Sequence, residues 1–418
     1  MKILVLGLNY APERVGIAVY TTGMAEHLQA MGHRVEVVAG QPYYPAWKIM
    51  DGYRAWAWTR ATEFGVDVTR VPHYVPSRPS GALRLLHHAT FAVAAFFPTI
   101  IRATFQRPDL VLTVAPSLVA APIARLAALL GGARSWLHIQ DFEVEAALAT
   151  ALIRPDGPVA SIAGAFDQAV TGSFDVVSTI SPQMVRKLVS KGVSADKVIE
   201  FRNWANIEAI RPLSGPSSYR EEWNIRTPHV ALYSGNVGNK QGIEIVVDAA
   251  RALSHRKDLT FVVCGEGQNR ANLEVRAAGL DNIQFHDLQP KERLNELVGL
   301  ATVHLLPQLA SAADLVLPSK LTNMLASGRP VVATAAPGTG LAEEVEGCGI
   351  VTPPEDSQAF AAAIAALADD PIQHASLSAA ARRRAEERWS GDAILARFAD
   401  SLVEALQDRA GTPETEQI

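Results

Sequence analysis

Hydrophobic positions fall in short blocks separated by loops. Lys2 to Leu8 is an apolar run of strand length, and Asn9-Tyr10-Ala11-Pro12-Glu13-Arg14-Val15-Gly16 is punctuated like a loop. Val19, Met24, Leu28 and Met31 then recur at helical spacing, and Gly32 follows as a stop. Val35, Val37 and Val38 mark a second strand over Arg34 to Gly40. Strand, helix, strand in this order predicts a parallel sheet. The blocks Leu110–Val114, Ser135–Ile139, Val176–Ile180 and Lys197–Phe201 extend it. Leu213-Ser214-Gly215-Pro216-Ser217-Ser218 reads as a linker, after which the cycle restarts at His229–Tyr233. Its glycine loop is Ser234-Gly235-Asn236-Val237-Gly238, and a helix with Ile243, Val246, Val247, Ala250 and Leu253 comes next. Strands over Thr260–Val263, Ile283–Phe285, Val303–Leu306 and Val331–Thr334 complete it. The expected organisation is an α/β domain over 1–205, a second over 206–385, and over 386–418 a helix returning to the first domain before a frayed tail. Two doubly wound sheets in tandem place ligands at the carboxyl ends of their strands, here in one shared cleft.

Composition narrows this further. Of 418 residues 48% are apolar and 19% charged, which suits packed cores and excludes a disordered chain. Two distant cysteines, Cys264 and Cys348, argue against a disulfide framework and for a reducing, cytoplasmic setting. The N-terminus lacks the apolar core of a signal peptide and reads as a first strand. Residues 1–205 hold 19 Lys and Arg against 15 Asp and Glu, a net +4; the rest holds 19 against 28, a net −9. The basic half hints at a surface partner, although drift between domains gives the same asymmetry. Ala89 to Ile101 is 13 residues without a charge, flanked by Arg78, Arg84, Arg102 and Arg107. It is too short to span a bilayer. A buried core helix and a helix lying in the membrane interface both fit.

The chain resembles the retaining glycosyltransferase family 4, in its exopolysaccharide and O-antigen branch typified by colanic acid enzymes. Asn9–Glu13 with Gly16 looks like that family's N-terminal glycine loop, and Gln140-Asp141-Phe142-Glu143-Val144-Glu145 occupies its acceptor segment. Ile180–Met184 and Arg202-Asn203-Trp204 resemble its domain-crossing landmarks, and Ser234–Gly242 its phosphate loop. The most specific block is Leu317-Pro318-Ser319-Lys320 through Gly328-Arg329-Pro330-Val331-Val332. The resemblance covers nearly the whole chain. It implies the GT-B fold, two Rossmann-like parallel-sheet domains facing a central cleft, and transfer from a nucleotide sugar, UDP- or GDP-linked, with retention of configuration.

When the glycosidic bond of such a donor breaks, negative charge grows on the β-phosphate and something positive must receive it. Pro318-Ser319-Lys320 opens a helix, whose free amides and dipole favour an anion, and Lys320 adds a full charge. Gly235 lets backbone approach closely, with Asn236 in the same loop and Lys240 beyond it, and Gly16 covers the diphosphate from the other domain. Singly, each reads as an ordinary loop residue; together, on three strand-to-helix loops, they point to a diphosphate. The resemblance implies a Glu pair eight positions apart gripping ribose and sugar. This chain has Asn323 and Leu315 there, so Asn323 is expected on the ribose and Asp314 on the sugar hydroxyls. The Arg and Lys usual in the phosphate loop fall on Asn236 and Gln241. Gly265, in Cys264-Gly265-Glu266-Gly267, and Leu288 match the loops around the base.

Asp141 and Glu145 are candidates to orient or deprotonate the acceptor hydroxyl, with Glu13 a third. Gln140 replaces the family's frequent His, and His138 shares its strand face. No Asp-x-Asp triplet ends a strand, so no metal is expected; no cofactor beyond the nucleotide sugar is either. By resemblance the acceptor is a polyprenyl-diphosphate-linked glycan at the inner face of the cytoplasmic membrane, with peripheral membrane contact; nucleic acid is not a partner. Competing readings are a nucleotide-sugar epimerase of the same architecture, and a catalytically weak assembly component of a polysaccharide complex. An NAD enzyme is disfavoured, since no Gly-x-Gly-x-x-Gly follows the first strand.

Overall fold

The computed structural model describes residues 1–13, 16–78, 80–143, 157–205, 207–238, 242–267, 269–309, 318 and 320–410. The chain forms two compact units: Met1–Asn203 with Leu395–Ile418, and Trp204–Ile394.

The first unit holds an eight-stranded sheet of order β3-β4-β2-β1-β5-β6-β7-β8. Its strands are β1 (Lys2–Gly7), β2 (Arg34–Gly40), β3 (Thr59–Glu63), β4 (Val66–Val71), β5 (Leu110–Ala115), β6 (Arg134–Ile139), β7 (Val176–Thr179) and β8 (Val198–Glu200). All pairs are parallel except β3–β4. β1 and β5 are buried on both faces, which is why their sequences are continuous apolar runs rather than alternating ones. Five helices of this unit matter below: α1 (Ile17–Ala30), α2 (Gly81–Gln106), α3 (Ala121–Gly131), α4 (Pro158–Ser173) and α5 (Pro182–Ser190). Local chemistry sets their ends. Ser181 accepts the Met184 amide and Pro182 occupies the first turn of α5, while Gly132 takes the left-handed conformation that stops α3.

The uncharged segment 89–101 lies inside α2, which runs for 26 residues, twice the length that the apolar run marks. Helix-compatible residues with charges at the ends carry it on, and Pro98 sits within it. One stripe of α2, with His87, Phe91, Ala95 and Thr99, is buried in the core of this unit.

The returning helix, Gly391–Ala410, contributes its residues from Leu395 onward to the first unit. Its Phe398 stacks on Phe201 with ring centres 4.0 Å apart and meets Trp136 edge to face at 5.3 Å. Arg134 Nε donates to the Ala405 carbonyl at 2.9 Å. Burying a phenylalanine this way contributes roughly 1.5–3 kcal/mol.

The second unit holds a six-stranded parallel sheet of order β11-β10-β9-β12-β13-β14. Its strands are β9 (His229–Ser234), β10 (Leu259–Cys264), β11 (Ile283–His286), β12 (Val303–Leu306), β13 (Val331–Thr334) and β14 (Gly349–Thr352). Counted within the unit, the order is 3-2-1-4-5-6, and the first unit repeats it with β3 and β8 added at its two edges. The order reverses between β9 and β12 here, and between β1 and β5 in the first unit. A doubly wound sheet leaves room for a ligand beyond the strand ends at that reversal.

Candidate active site

In the second unit, the chain leaves β9 at Gly235 with φ +138° and leaves β10 at Gly265 with φ +148° and Gly267 with φ +158°. A methyl group on Gly265 would stand 1.9 Å from the Gly235 carbonyl oxygen, and one on Gly267 would stand 2.1 Å from that of Val237. No side chain fits between the two loops. The Gly235 amide donates to the Cys264 carbonyl at 2.9 Å, the Val237 amide to that of Glu266 at 2.8 Å, and the Asn269 amide to that of Val237 at 3.1 Å. The sheet is thereby prolonged past its strands. The amides of Asn236 and Gly238, between those that are bonded, have no partner among the described residues.

Lys320 opens the helix Lys320–Ala326, on which Leu321 donates to the Pro318 carbonyl at 2.9 Å. Its side chain crosses the bare face of Gly235: Cδ and Nζ lie 3.5 and 3.8 Å from where a Cβ would be. The ammonium sits 4.1 Å from the ring centre of Tyr233, a fully buried residue whose hydroxyl donates to the Asn236 carbonyl at 2.7 Å. No carboxylate pairs with it among the described residues. Burial lowers the ammonium's pKa to about 8, because water has been taken away from the charge. The aromatic face recovers part of that cost. Three positions on, hence on the same helix face, Asn323 is half-buried and its amide has no partner among the described residues.

Behind the glycine loops, Arg270 ties β10 to β11. Its Nη1 donates to the carbonyls of Gly265 at 2.8 Å and His286 at 3.0 Å and pairs with Asp287 at 2.9 Å. The adjoining Leu288 is exposed. Gly235, Asn236, Gly265 and Lys320 are therefore brought together, with Asn323 on the lysine's helix and Leu288 at the end of the neighbouring strand. Lys240, Asp314, Ser319 and Glu145 lie outside the described residues.

In the first unit, Gly16 caps α1 with φ +66° and is exposed, and the Tyr44 ring lies 3.5 Å from the space a side chain would fill. Glu13 is buried and accepts from the Tyr43 and Tyr44 amides, both at 2.8 Å, and from Asn9 Nδ2 at 2.9 Å. Burial raises its pKa, but with three donors it clamps the loop after β2. Asp141 is exposed immediately after β6. Below it, Gln140 donates to His138 Nε2 at 2.9 Å and accepts from Asn203 Nδ2 at 2.7 Å, while His138 Nδ1 meets Ser178 Oγ at 2.9 Å. Burial pushes the His138 pKa down to about 3, so the ring is neutral and holds the end of β6 in place.

Two residues escaped the reading of the sequence. Tyr233 is one; an aromatic two positions before a strand-end glycine was its only signal. Glu143 is the other: its carboxylate accepts the amides of Ser117 at 2.9 Å and Leu118 at 2.7 Å, fixing the turn after β5. Its place two residues after Asp141 was the available clue.

Comparison with known proteins follows this division. Residues 15–204 match the glycosyl transferase 4-like domain and residues 228–370 match the glycosyl transferases group 1 domain. The chain is 42% identical over 374 residues to WcaI of Escherichia coli strain K12, provisionally named a colanic acid biosynthesis glycosyl transferase; the match covers 87% of this chain and 91% of that one. Among solved structures, sucrose-phosphate synthase from Thermosynechococcus elongatus superposes with TM-score 0.71 at 17% identity, over 97% of this chain and 99% of that one. HepE of Anabaena, solved in complex with UDP, superposes with TM-score 0.68 at 16% identity, over 97% of this chain and all (100%) of that one. At such identities these two speak for the fold alone.

Proposed function

We infer the reaction from the premise that the chain belongs to the glycosyltransferase family built from a 4-like domain followed by a group 1 domain. We propose that it moves a sugar from a UDP- or GDP-sugar to a polyprenyl-diphosphate-linked oligosaccharide in exopolysaccharide or O-antigen synthesis, at the inner face of the cytoplasmic membrane. The similarity to WcaI, whose name refers to colanic acid, supports the pathway class.

One observation carries the chemistry. Lys320, a desolvated ammonium with no carboxylate partner among the described residues, lies across a loop whose Asn236 and Gly238 amides have no partner among those residues either. A diphosphate placed there gains both, and its charge raises the lysine's pKa and holds it in the ammonium form. The contact strengthens as the β-phosphate takes on charge, so it favours the transition state over the bound donor. Lys320 thus supplies the charge that a divalent ion would otherwise bring, and the reaction is proposed to need no metal. Ser319 and Lys240 join the same anion. Asn323 takes the ribose hydroxyls, Asp314 the sugar hydroxyls, and the loops at Gly265 and Leu288 the base. Asp141 and Glu145 act on the acceptor hydroxyl. Retention of configuration, which the family resemblance implies, puts departure and attack on one face of the sugar, with no side chain assigned as a covalent nucleophile.

The test is a donor panel. Purified protein is incubated with UDP- and GDP-sugars and a polyprenyl-diphosphate-linked glycan, with and without EDTA. Expected are one extended glycan, release of the nucleoside diphosphate, an unchanged rate in EDTA and an unchanged anomeric configuration by NMR. Tight donor binding with neither hydrolysis nor transfer on any acceptor would instead favour the assembly-component reading, which Asn323 in a glutamate's place motivates.

A further inference from the structure

We propose that the outer surface of α2 and α3 docks on an anionic phospholipid bilayer. Opposite its buried stripe, α2 turns Leu86, Val93, Phe97, Ile101 and Phe105 to solvent, at steps of seven, four, four and four residues. They form one row along the helix. Val93, Phe97 and Phe105 are 71%, 64% and 81% exposed. α3 packs beside α2 and continues the apolar surface with exposed Leu126, Leu129 and Leu130. Trp58 borders the row: its indole N–H donates to the Ala94 carbonyl at 3.2 Å, yet it stays 58% exposed, with Trp56 beside it. Tryptophan in such a half-wet position suits the boundary between headgroups and acyl chains.

Charge selects the occupant. Residues 68–140 contain seven arginines, one aspartate, no lysine and no glutamate. Arg78, Arg84 and Arg107 flank the row, are exposed and have no carboxylate partner among the described residues. Arg84 instead lies 5.4 Å from the Trp47 ring centre. A second copy of the chain would bring arginine to face arginine in a two-fold pairing, whereas anionic headgroups neutralise them. Arg102 does not interrupt the row, because it turns inward to Glu36 at 3.1 Å.

The helix lies on the surface and does not cross it. By length and composition α2 could span a membrane. Spanning would pull the Arg102–Glu36 pair and the buried His87 out of their packing into hydrocarbon. An interfacial helix keeps both, and immerses only the row that already faces outward. The proposal deepens the transferase reading by explaining how a lipid-borne acceptor is met. Its assay uses neither donor nor acceptor, so the two readings fail separately.

The full-length protein is floated with vesicles of phosphatidylethanolamine and phosphatidylglycerol, and with vesicles of phosphatidylcholine alone. Recovery with the anionic vesicles at least tenfold above phosphatidylcholine is expected, falling in high salt. Phe97→Glu with Phe105→Glu should lower that recovery at least tenfold with circular dichroism and UDP binding unchanged. Arg78→Glu with Arg84→Glu should remove the preference for anionic lipid. The proposal is overturned if the wild-type chain does not float on the anionic vesicles, or if the double phenylalanine variant floats equally well. It is overturned too if the chain is a dimer without affinity for vesicles and that variant makes it monomeric, since the face would then bind a second copy.

Discussion

The two units wind their sheets in the same order, yet they finish the strand ends at the reversal in opposite ways. In the second unit the loops are made of backbone against backbone, with Gly265 so close to Gly235 that even a methyl group is excluded, and the Lys320 ammonium stands over them with no carboxylate partner among the described residues. In the first unit the corresponding ends are filled with side chains. Glu13 holds the amides of Tyr43 and Tyr44, Glu143 those of Ser117 and Leu118, and the rings of Tyr43, His73 and His87 meet at 4.6–5.5 Å. On the proposed reading, the diphosphate common to UDP- and GDP-sugars is met by amides, which no substitution alters, and the glycan acceptor, which differs from enzyme to enzyme, is met by groups that substitution can change.

Acid should separate the units most. Burial holds the pKa of His73 and His138 at about 3 and of His87 and His88 at about 4, all in the first unit; in the second only His304, at about 3, is pushed so far. Each is neutral when folded and takes up a proton below about 6.5 once unfolded. The stability they give is whole above that pH and falls as pH drops towards about 4, by up to ~1.4 kcal/mol per histidine per pH unit. The raised pKa values of Glu13 and Glu143 act in the other sense, since the folded state protonates those carboxylates first, and they offset part of the loss. Hydrogen exchange between pH 7 and 4.5 should therefore show the first unit opening before the second. Simultaneous opening would erase the contrast.

Lys320→Met attacks the second unit's cation. Turnover should fall roughly 10²–10³-fold, the scale for losing a preorganised group at developing charge. The melting temperature should hold or rise, since a desolvated charge is removed. Near wild-type turnover would remove the proposed phosphate contact. Gly265→Ala tests the backbone-made loop: overpacking with a forbidden φ should cost about 3 kcal/mol and abolish UDP binding, with vesicle flotation retained. Asn323→Ala should have the smallest effect, a rise of several-fold in the donor KM with kcat nearly unchanged, as one hydrogen bond worth about 1 kcal/mol is lost. A fall in kcat alone would place Asn323 elsewhere in the reaction.

Much of the fold was legible because parallel strands buried on both faces are unbroken apolar runs. β1, β2, β5, β9 and β10 announce themselves this way. β3 does not: Thr59-Arg60-Ala61-Thr62-Glu63 is an exposed antiparallel edge, polar at nearly every position, and only its partner β4 makes it a strand. Lys320 could be singled out from its place after Pro318, but its setting could not. The Tyr233 ring beneath it depends on where β9 and the lysine's helix meet. The link from Gln140 to His138 followed from strand alternation; the link to Asn203, 63 residues on, did not.

The first unit is assembled from two stretches of sequence that lie far apart. Phe398 covers Trp136 and Phe201, and Arg134 reaches Ala405, so this unit lacks part of its packing until residues 395–410 have been synthesised. On the ribosome the later-made unit, Trp204–Ile394, can close first, while the one begun earlier waits for its last helix. Expressing 1–203 alone would leave those ring faces wet, and a fragment meant to stand for the first unit has to carry residues 395–410 with it.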